Sequence, residues 1–328
     1  MKKYISVIFT TLFVLQSCVN GSKVWENENI DATTRYEISL LNDKLIKNLA
    51  ISDTTAIKNM FSDAFVKQFD GDFKEVVTSI SVILKKDTYK KIDEYNFHNS
   101  TEKSTNIVIS AGEVNNEYSI YYKSLEKETY VSLLVIGNDD QCILTVVYEK
   151  SESGWKISHF NTRRYRYYGK TAPEFYKSAQ ENYAKSYLID ASNDAVIANK
   201  LLEPAHVWKY KKHEEIQKFS EKLNEEFNNK YRFPIVFNKI ATKPQIFNIE
   251  YIEVKDADLI PLVSYLSTIS IKDTIAIKIE NVKLKAEVNE SFIGINKNKK
   301  YVVYQAYNQI PDGKKQLKCF GIIDRIKQ

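Results

Sequence analysis

The chain has 328 residues, with 47 Lys and Arg against 42 Asp and Glu and 43% hydrophobic residues, a globular composition and not a disordered or low-complexity one. That length suggests about two domains, each able to bury its own core. The formal charge of only +5 argues no acidic partner, and nine glycines that never stand closer than eight residues apart exclude a GxGxxG or GxxxxGK phosphate loop.

Met1-Lys2-Lys3 is followed by twelve residues, Tyr4 to Leu15, that are apolar except for Ser6, Thr10 and Thr11. This is the charged start and apolar stretch of a secretory signal, expected over residues 1–17. Twelve helical residues rise only about 18 Å, short of the ~30 Å hydrocarbon core, so no permanent transmembrane helix is expected there. Leu15-Gln16-Ser17-Cys18 resembles the lipobox of bacterial lipoproteins, although Gln16 stands where a small residue is commoner. The resemblance implies cleavage before Cys18, lipid attachment to its thiol, a polar tether over residues 18–30 and residence at the cell envelope, anchored to a membrane. Cleavage removes Lys2 and Lys3, which lowers the charge from +5 to +3.

Residues 31–50 place Ile38, Leu41, Leu45 and Leu49 on one helical stripe. A second helix is expected from a Ser52 or Asp53 cap, through Ile57, Phe61 and Phe65, to a stop at Gly71. Phe73, Val76, Val77, Ile80 and Leu84 form a third stripe. From residue 105 the period changes to two, over residues 105–110, 117–123, 129–136, 141–150 and 155–162. Asn115-Asn116, Gly137-Asn138 and Ser153-Gly154 mark turns, so neighbouring strands are expected to be antiparallel. Helices followed by a curved antiparallel sheet make an α+β layer.

The stretch CILTVVYEKSESGWKISHF, residues 142–160, resembles the last hairpin of the nuclear transport factor 2-like superfamily, which includes ketosteroid isomerase. The resemblance covers residues 31–165 and implies a cone-shaped helix-plus-sheet domain without specifying an activity. Residues 166–190 are expected to link it, through a helix begun by Pro173, to a second α+β domain over residues 191–328. There, helices are expected near residues 192–202 and 213–229, and strands over 233–237, 246–254, 274–284, 300–307 and 316–323; residues 256–268 are ambiguous. Helices before strands repeats the order of the first half, which leaves a diverged second copy open.

Trp155, Ile157 and His159 alternate along one strand and are expected on one face, lining the cone with Tyr118, Tyr122 and Tyr130. His159 could then serve as a general base or ligand donor, but with no partner fixed by the sequence a structural or rim histidine is the expectation. Arg163, Arg164, Arg166 and Lys170 interleave with Tyr165, Tyr167 and Tyr168. Such a run suits an anionic headgroup or a partner protein, or a solvated segment whose guanidinium groups stack on the rings. The compartment argues against nucleic acid. Cys142 and Cys319 sit in strand-like runs and are expected as buried free thiols, with a disulfide between them open. His206 and His213 are seven residues apart, too far along a helix for shared ligation, and no metal or other cofactor is expected.

No motif names a reaction. The residues fit a non-catalytic, membrane-anchored lipoprotein that binds a small apolar ligand or an envelope protein, or serves in assembly. An isomerase- or dehydratase-like enzyme using the cone is the alternative.

Overall fold

A computed structural model describes residues 22–67, 73–84, 88–110, 117–138, 140–254 and 257–326. The signal stretch, Cys18, Gly71 and the Asn115-Asn116 turn lie outside the described residues. The class is α+β, built from eight α-helices and thirteen strands among the described residues. None of these helices is long and apolar enough to cross a membrane.

The chain enters the fold at β1 (Lys23–Glu26), within the stretch expected as tether, and makes one turn of 3-10 helix at Asn27–Asn29. Four helices follow: α1 (Ala32–Ala50), α2 (Thr54–Lys58), α3 (Asp63–Val66) and α4 (Phe73–Ile83). The single helix expected after residue 53 is broken in two. The backbone between α2 and α3 bonds an edge strand instead, with Ser62 N–H donating to Ile157 O at 2.9 Å and Ile157 N–H to Met60 O at 2.9 Å. Ser62 then restarts the helix by accepting from the Phe65 N–H at 3.3 Å.

The first sheet has the order β1-β2-β5-β6-β7, where β2 is Lys90–His98, β5 Glu128–Ile136, β6 Gln141–Ser151 and β7 Gly154–Arg166, and every neighbouring pair is antiparallel. One face packs Leu134, Leu144, Val146, Tyr148 and Phe160 against Ile38, Leu45, Val77 and Ile80 of α1 and α4. Asn42 of α1 lies within this layer, accepting from the Tyr148 hydroxyl at 2.8 Å and donating to Ser132 Oγ at 3.2 Å. The opposite face packs Val131, Leu133 and Val147 against a second, three-stranded sheet and the helices of the second half. That sheet has the order β3-β4-β8, with β3 at Thr105–Ser110, β4 at Tyr118–Lys123 and β8 at Trp208–Tyr210. The strands β1, β2 and β8 go beyond the sequence expectation.

Three helices lead into the C-terminal half: α5 (Ala172–Ala184), α6 (Leu188–Lys200) and α7 (His213–Lys230). Thr171 N–H donates to the Glu174 carboxylate at 2.7 Å, and Pro173 occupies the first turn of α5. The helix expected within residues 166–190 stops at Ala184, because Ser186 turns the chain with φ +62°. The third sheet runs β13-β12-β11-β10-β9, with β9 at Ile235–Val236, β10 at Gln245–Val254, β11 at Ala257–Leu266, β12 at Tyr301–Tyr307 and β13 at Phe320–Arg325. Its β11–β12 pair is parallel, and α8 (Thr274–Ser291) provides the crossover such a pair needs. Residues 274–284, expected as a strand, are therefore helical. The alternation of Ile275, Ile277 and Ile279 mimics a strand, but only Ile277 of the three is buried. The all-antiparallel first sheet and this mixed one differ in element order, so the halves do not share one topology.

Buried Asp190 of α6 joins the helices to the third sheet, paired with Lys299 Nζ at 2.7 Å and accepting from the Tyr251 hydroxyl of β10. Both described cysteines are free, and Cys319 is exposed rather than buried because it precedes β13 at the sheet's outer edge.

Candidate functional site

The strand β8 is only three residues long, yet its alternation turns Trp208 and Tyr210 inward and Lys209 outward. Trp208 pairs with Ile120 in register, and its ring stacks on that of Tyr118, with centroids 3.4 Å apart and planes 14° apart. These rings floor a groove of about 310 Å³ whose walls include Asp93, Tyr165 and Arg166, with Lys90 and Lys91 at its rim.

The polar groups in this groove form a chain. The Tyr118 hydroxyl donates to Asp93 Oδ2 and lies 3.0 Å from the Tyr95 hydroxyl, which donates to it in turn. Asn27 Nδ2 holds the other carboxylate oxygen of Asp93 at 2.8 Å. Burial pushes the Tyr118 phenol far up, and its neighbours Tyr95 and Asp93 push it further, so it stays a proton donor at neutral pH. Glu26 nearby is also raised, by burial first and by the charge of Asp93 second. Two buried donors of the lining residues, Trp208 Nε1 and Arg166 Nε, meet no acceptor among the described residues. Both atoms are closed off from solvent, so each carries the cost of an unpaired buried donor.

The residues expected to line a single cone are dispersed. Of the six, only Tyr118 reaches this groove. Tyr122 donates to Glu149 Oε1 at 3.1 Å and lies 3.1 Å from Ser158 Oγ, where Glu149 and Ser158 edge a separate groove of about 270 Å³. Tyr130 and Trp155 lie on the helix-covered face, their rings 6.3 Å apart. The expectation that Trp155, Ile157 and His159 share one face fails at Ser158. Tyr148 pairs with Ile157 but Val147 with His159, so a β-bulge carries an extra residue there and turns His159 to the opposite face. His159 then packs 5.6 Å from the His206 ring and 6.3 Å from that of Phe65. Burial, with His206 second, lowers its pKa to about 4, which keeps it neutral at pH 7.

The basic run divides between neighbours. Arg163 and Arg164, with Lys200 and His213, line a surface groove of about 430 Å³, where Arg163 Nη1 pairs with Glu203 at 2.8 Å. Arg164 lies over the Tyr167 ring at 5.0 Å, Arg166 over Tyr165 at 5.5 Å, and Lys170 over Phe175 at 5.6 Å. Among the described residues no group of three His, Cys, Asp or Glu is placed to hold a metal.

The sequence reading missed Asp93, Tyr95 and Trp208. The one available signal, the inward-outward-inward pattern of Trp208-Lys209-Tyr210, is too short to separate a strand from a loop. No family model matches the chain, and no curated protein or solved structure matches it either.

Proposed function

We propose that this chain is a lipid-anchored protein of the cell envelope, attached through Cys18, whose body is a non-catalytic binding module. Its ligand is a small molecule with an apolar face and a hydrogen-bond acceptor, held between the Tyr118–Trp208 stack and Arg166. The observation that carries this reading is one groove that combines an aromatic floor with a guanidinium in its wall and two lysines at its rim. The helices α1–α4 laid on an antiparallel sheet, and the β6–β7 hairpin carrying Gly154-Trp155-Lys156-Ile157, support the nuclear transport factor 2-like resemblance of residues 31–165. The densely packed layer under α1 and α4 favours binding outside that layer over catalysis within it.

The anchor is tested by intact mass of the mature protein, with Cys18→Ser as the variant that carries no lipid. The groove is tested with 1-anilinonaphthalene-8-sulfonate, which combines an apolar ring system with a sulfonate acceptor. Arg166→Gln should weaken it about tenfold, the cost of one charge-assisted hydrogen bond, while Arg163→Gln in the separate surface groove leaves it unchanged. Equal affinity in both variants would exclude this groove. A second reading rests on the Tyr95–Tyr118–Asp93 chain, which is suited to proton transfer. It predicts deuterium exchange at the α-carbon of a bound ketone, abolished in Asp93→Asn.

A further inference from the structure

The outer face of α8 is apolar where a solvated helix should be polar. Ile275 is 72% exposed, Ile279 58% and Val282 68%, and exposed Ala286 continues the row. Their spacing of four, three and four residues places them on one stripe, while Ile277, Leu284 and Val288 pack the core from the other side. Single exposed hydrophobic residues are ordinary, but four in register on one helix face are not. Nor does helix propensity favour them, since three of the four are β-branched.

The charges around the stripe identify what covers it. Lys278 and Lys283 are exposed on its two flanks, and Lys272 stands exposed just before the helix. Asp273, between them, has its side chain engaged by the Ala276 N–H at 3.0 Å. The acids of the last turns, Glu287 and Glu290, are both held by Lys239, at 3.2 and 3.3 Å. The surface beside the stripe extends further. Because β11 and β12 are parallel, their ends lie on one side of the sheet, and Asn308 fastens them together. Its Nδ2 donates to Ser267 O at 3.0 Å and to Ile269 O at 2.6 Å, and its Oδ1 accepts from Ile271 N–H at 3.0 Å. Residues 308–319 therefore leave the sheet beside the start of α8, adding Ile310, 47% exposed, and the exposed Lys314, Lys315 and Lys318.

We infer that this face is a membrane-contact surface: Ile275, Ile279 and Val282 enter the acyl boundary of an anionic bilayer while the surrounding lysines reach its headgroups. An apolar stripe bordered by lysines meets both demands of such a surface, and the long lysine stems allow their charges to stay at the headgroup level. A second copy of this chain meets only one, because antiparallel self-pairing along the stripe sets Lys278 and Lys283 against the same lysines. The inference is independent of lipid on Cys18, which fixes the chain near a membrane but does not orient its body.

The test is hydrogen–deuterium exchange of the full chain with vesicles, read on peptides spanning residues 274–286 and 308–319, so that any binding by the amino-terminal stretch is read separately. Vesicles of equal phosphatidylcholine and phosphatidylglycerol should protect both peptides, and phosphatidylcholine alone should not. The triple variant Lys272→Gln/Lys278→Gln/Lys283→Gln should weaken this protection roughly 100-fold in lipid concentration. Ile275→Ser/Ile279→Ser/Val282→Ser should abolish it with the thermal midpoint retained, since these side chains already face water. Protection that ignores lipid charge, or that survives both variants, overturns the inference. Protection of residues 274–286 that grows with protein concentration in the absence of vesicles overturns it in favour of a second copy.

Discussion

The two five-stranded sheets of this chain bury themselves in opposite ways. In the first, β5 is buried at every position after Glu128, since helices cover one face and the small three-stranded sheet covers the other. In the third, β12 alternates buried Val302, Tyr304 and Ala306 with half-buried Val303, Gln305 and Tyr307, since its helices cover one face only. Burial on two faces demands internal partners for every polar group. Glu149 of β6, for example, accepts from the N–H groups of Leu125 and Glu126 at 2.8 Å each, although its pKa is still raised, by burial above all. The one-sided sheet leaves such groups to solvent.

The largest expected contrast comes from truncating matched side chains. Leu134→Ala removes a fully buried residue of β5 and should cost about 3 kcal/mol, whereas Val303→Ala on the half-open face of β12 should cost less than about 1 kcal/mol. Equal shifts in the urea midpoint would erase the distinction between the sheets. A pH titration sharpens it from the first sheet. His159, with its pKa lowered to about 4, stays neutral in the fold while the unfolded chain takes up its proton near pH 6.5. Stability is therefore full above that pH and is lost as pH falls toward 4, by about 3 kcal/mol, and His159→Gln should flatten the slope. His206 is lowered too, by burial and then by Arg163, so a residual slope of the same sign should persist.

Smaller effects probe the third sheet. Gly294 has φ +93°, and an added Cβ would lie 2.3 Å from the Tyr187 ring between α5 and α6. Gly294→Ala should cost about 2 kcal/mol in urea unfolding, because neither the backbone nor the ring can yield freely. Glu280 of α8 is 3% exposed, and neither carboxylate oxygen has a hydrogen-bond partner among the described residues. Glu280→Met should raise stability by about 1 kcal/mol. A loss instead would show that the carboxylate is satisfied after all.

Elements with one periodic face are legible in the order of residues alone. Ile38, Leu45 and Leu49 of α1, Ile216 and Leu223 of α7, and the alternation of β3 all report a single buried side, and each is found where the periodicity places it. Elements with two loyalties are not. The strand β2 carries Asp93, Glu94 and Asn96 among its apolar residues, so its pattern resembles a loop, yet Glu94 is buried and paired with Lys91. The helix α8 presents isoleucines inward and outward, and reads as a strand. Of the groove, Tyr118 and Arg166 could be picked out as residue types, but Asp93 and Trp208 acquire meaning only when β8, some ninety residues beyond β4 in the chain, closes beside it.

By itself the sequence determined the α+β class, the helices with one apolar stripe, and the expectation of an amino-terminal lipid anchor. These depend on composition, local period and short motifs, which are physical properties of neighbouring residues. The tertiary structure alone decided which faces were covered. The bulge at Ser158, the parallel crossover through α8 and the stacking of Trp208 on Tyr118 depend on contacts between segments far apart in the chain, and one residue of register at Ser158 was enough to move His159 to the other side of the sheet.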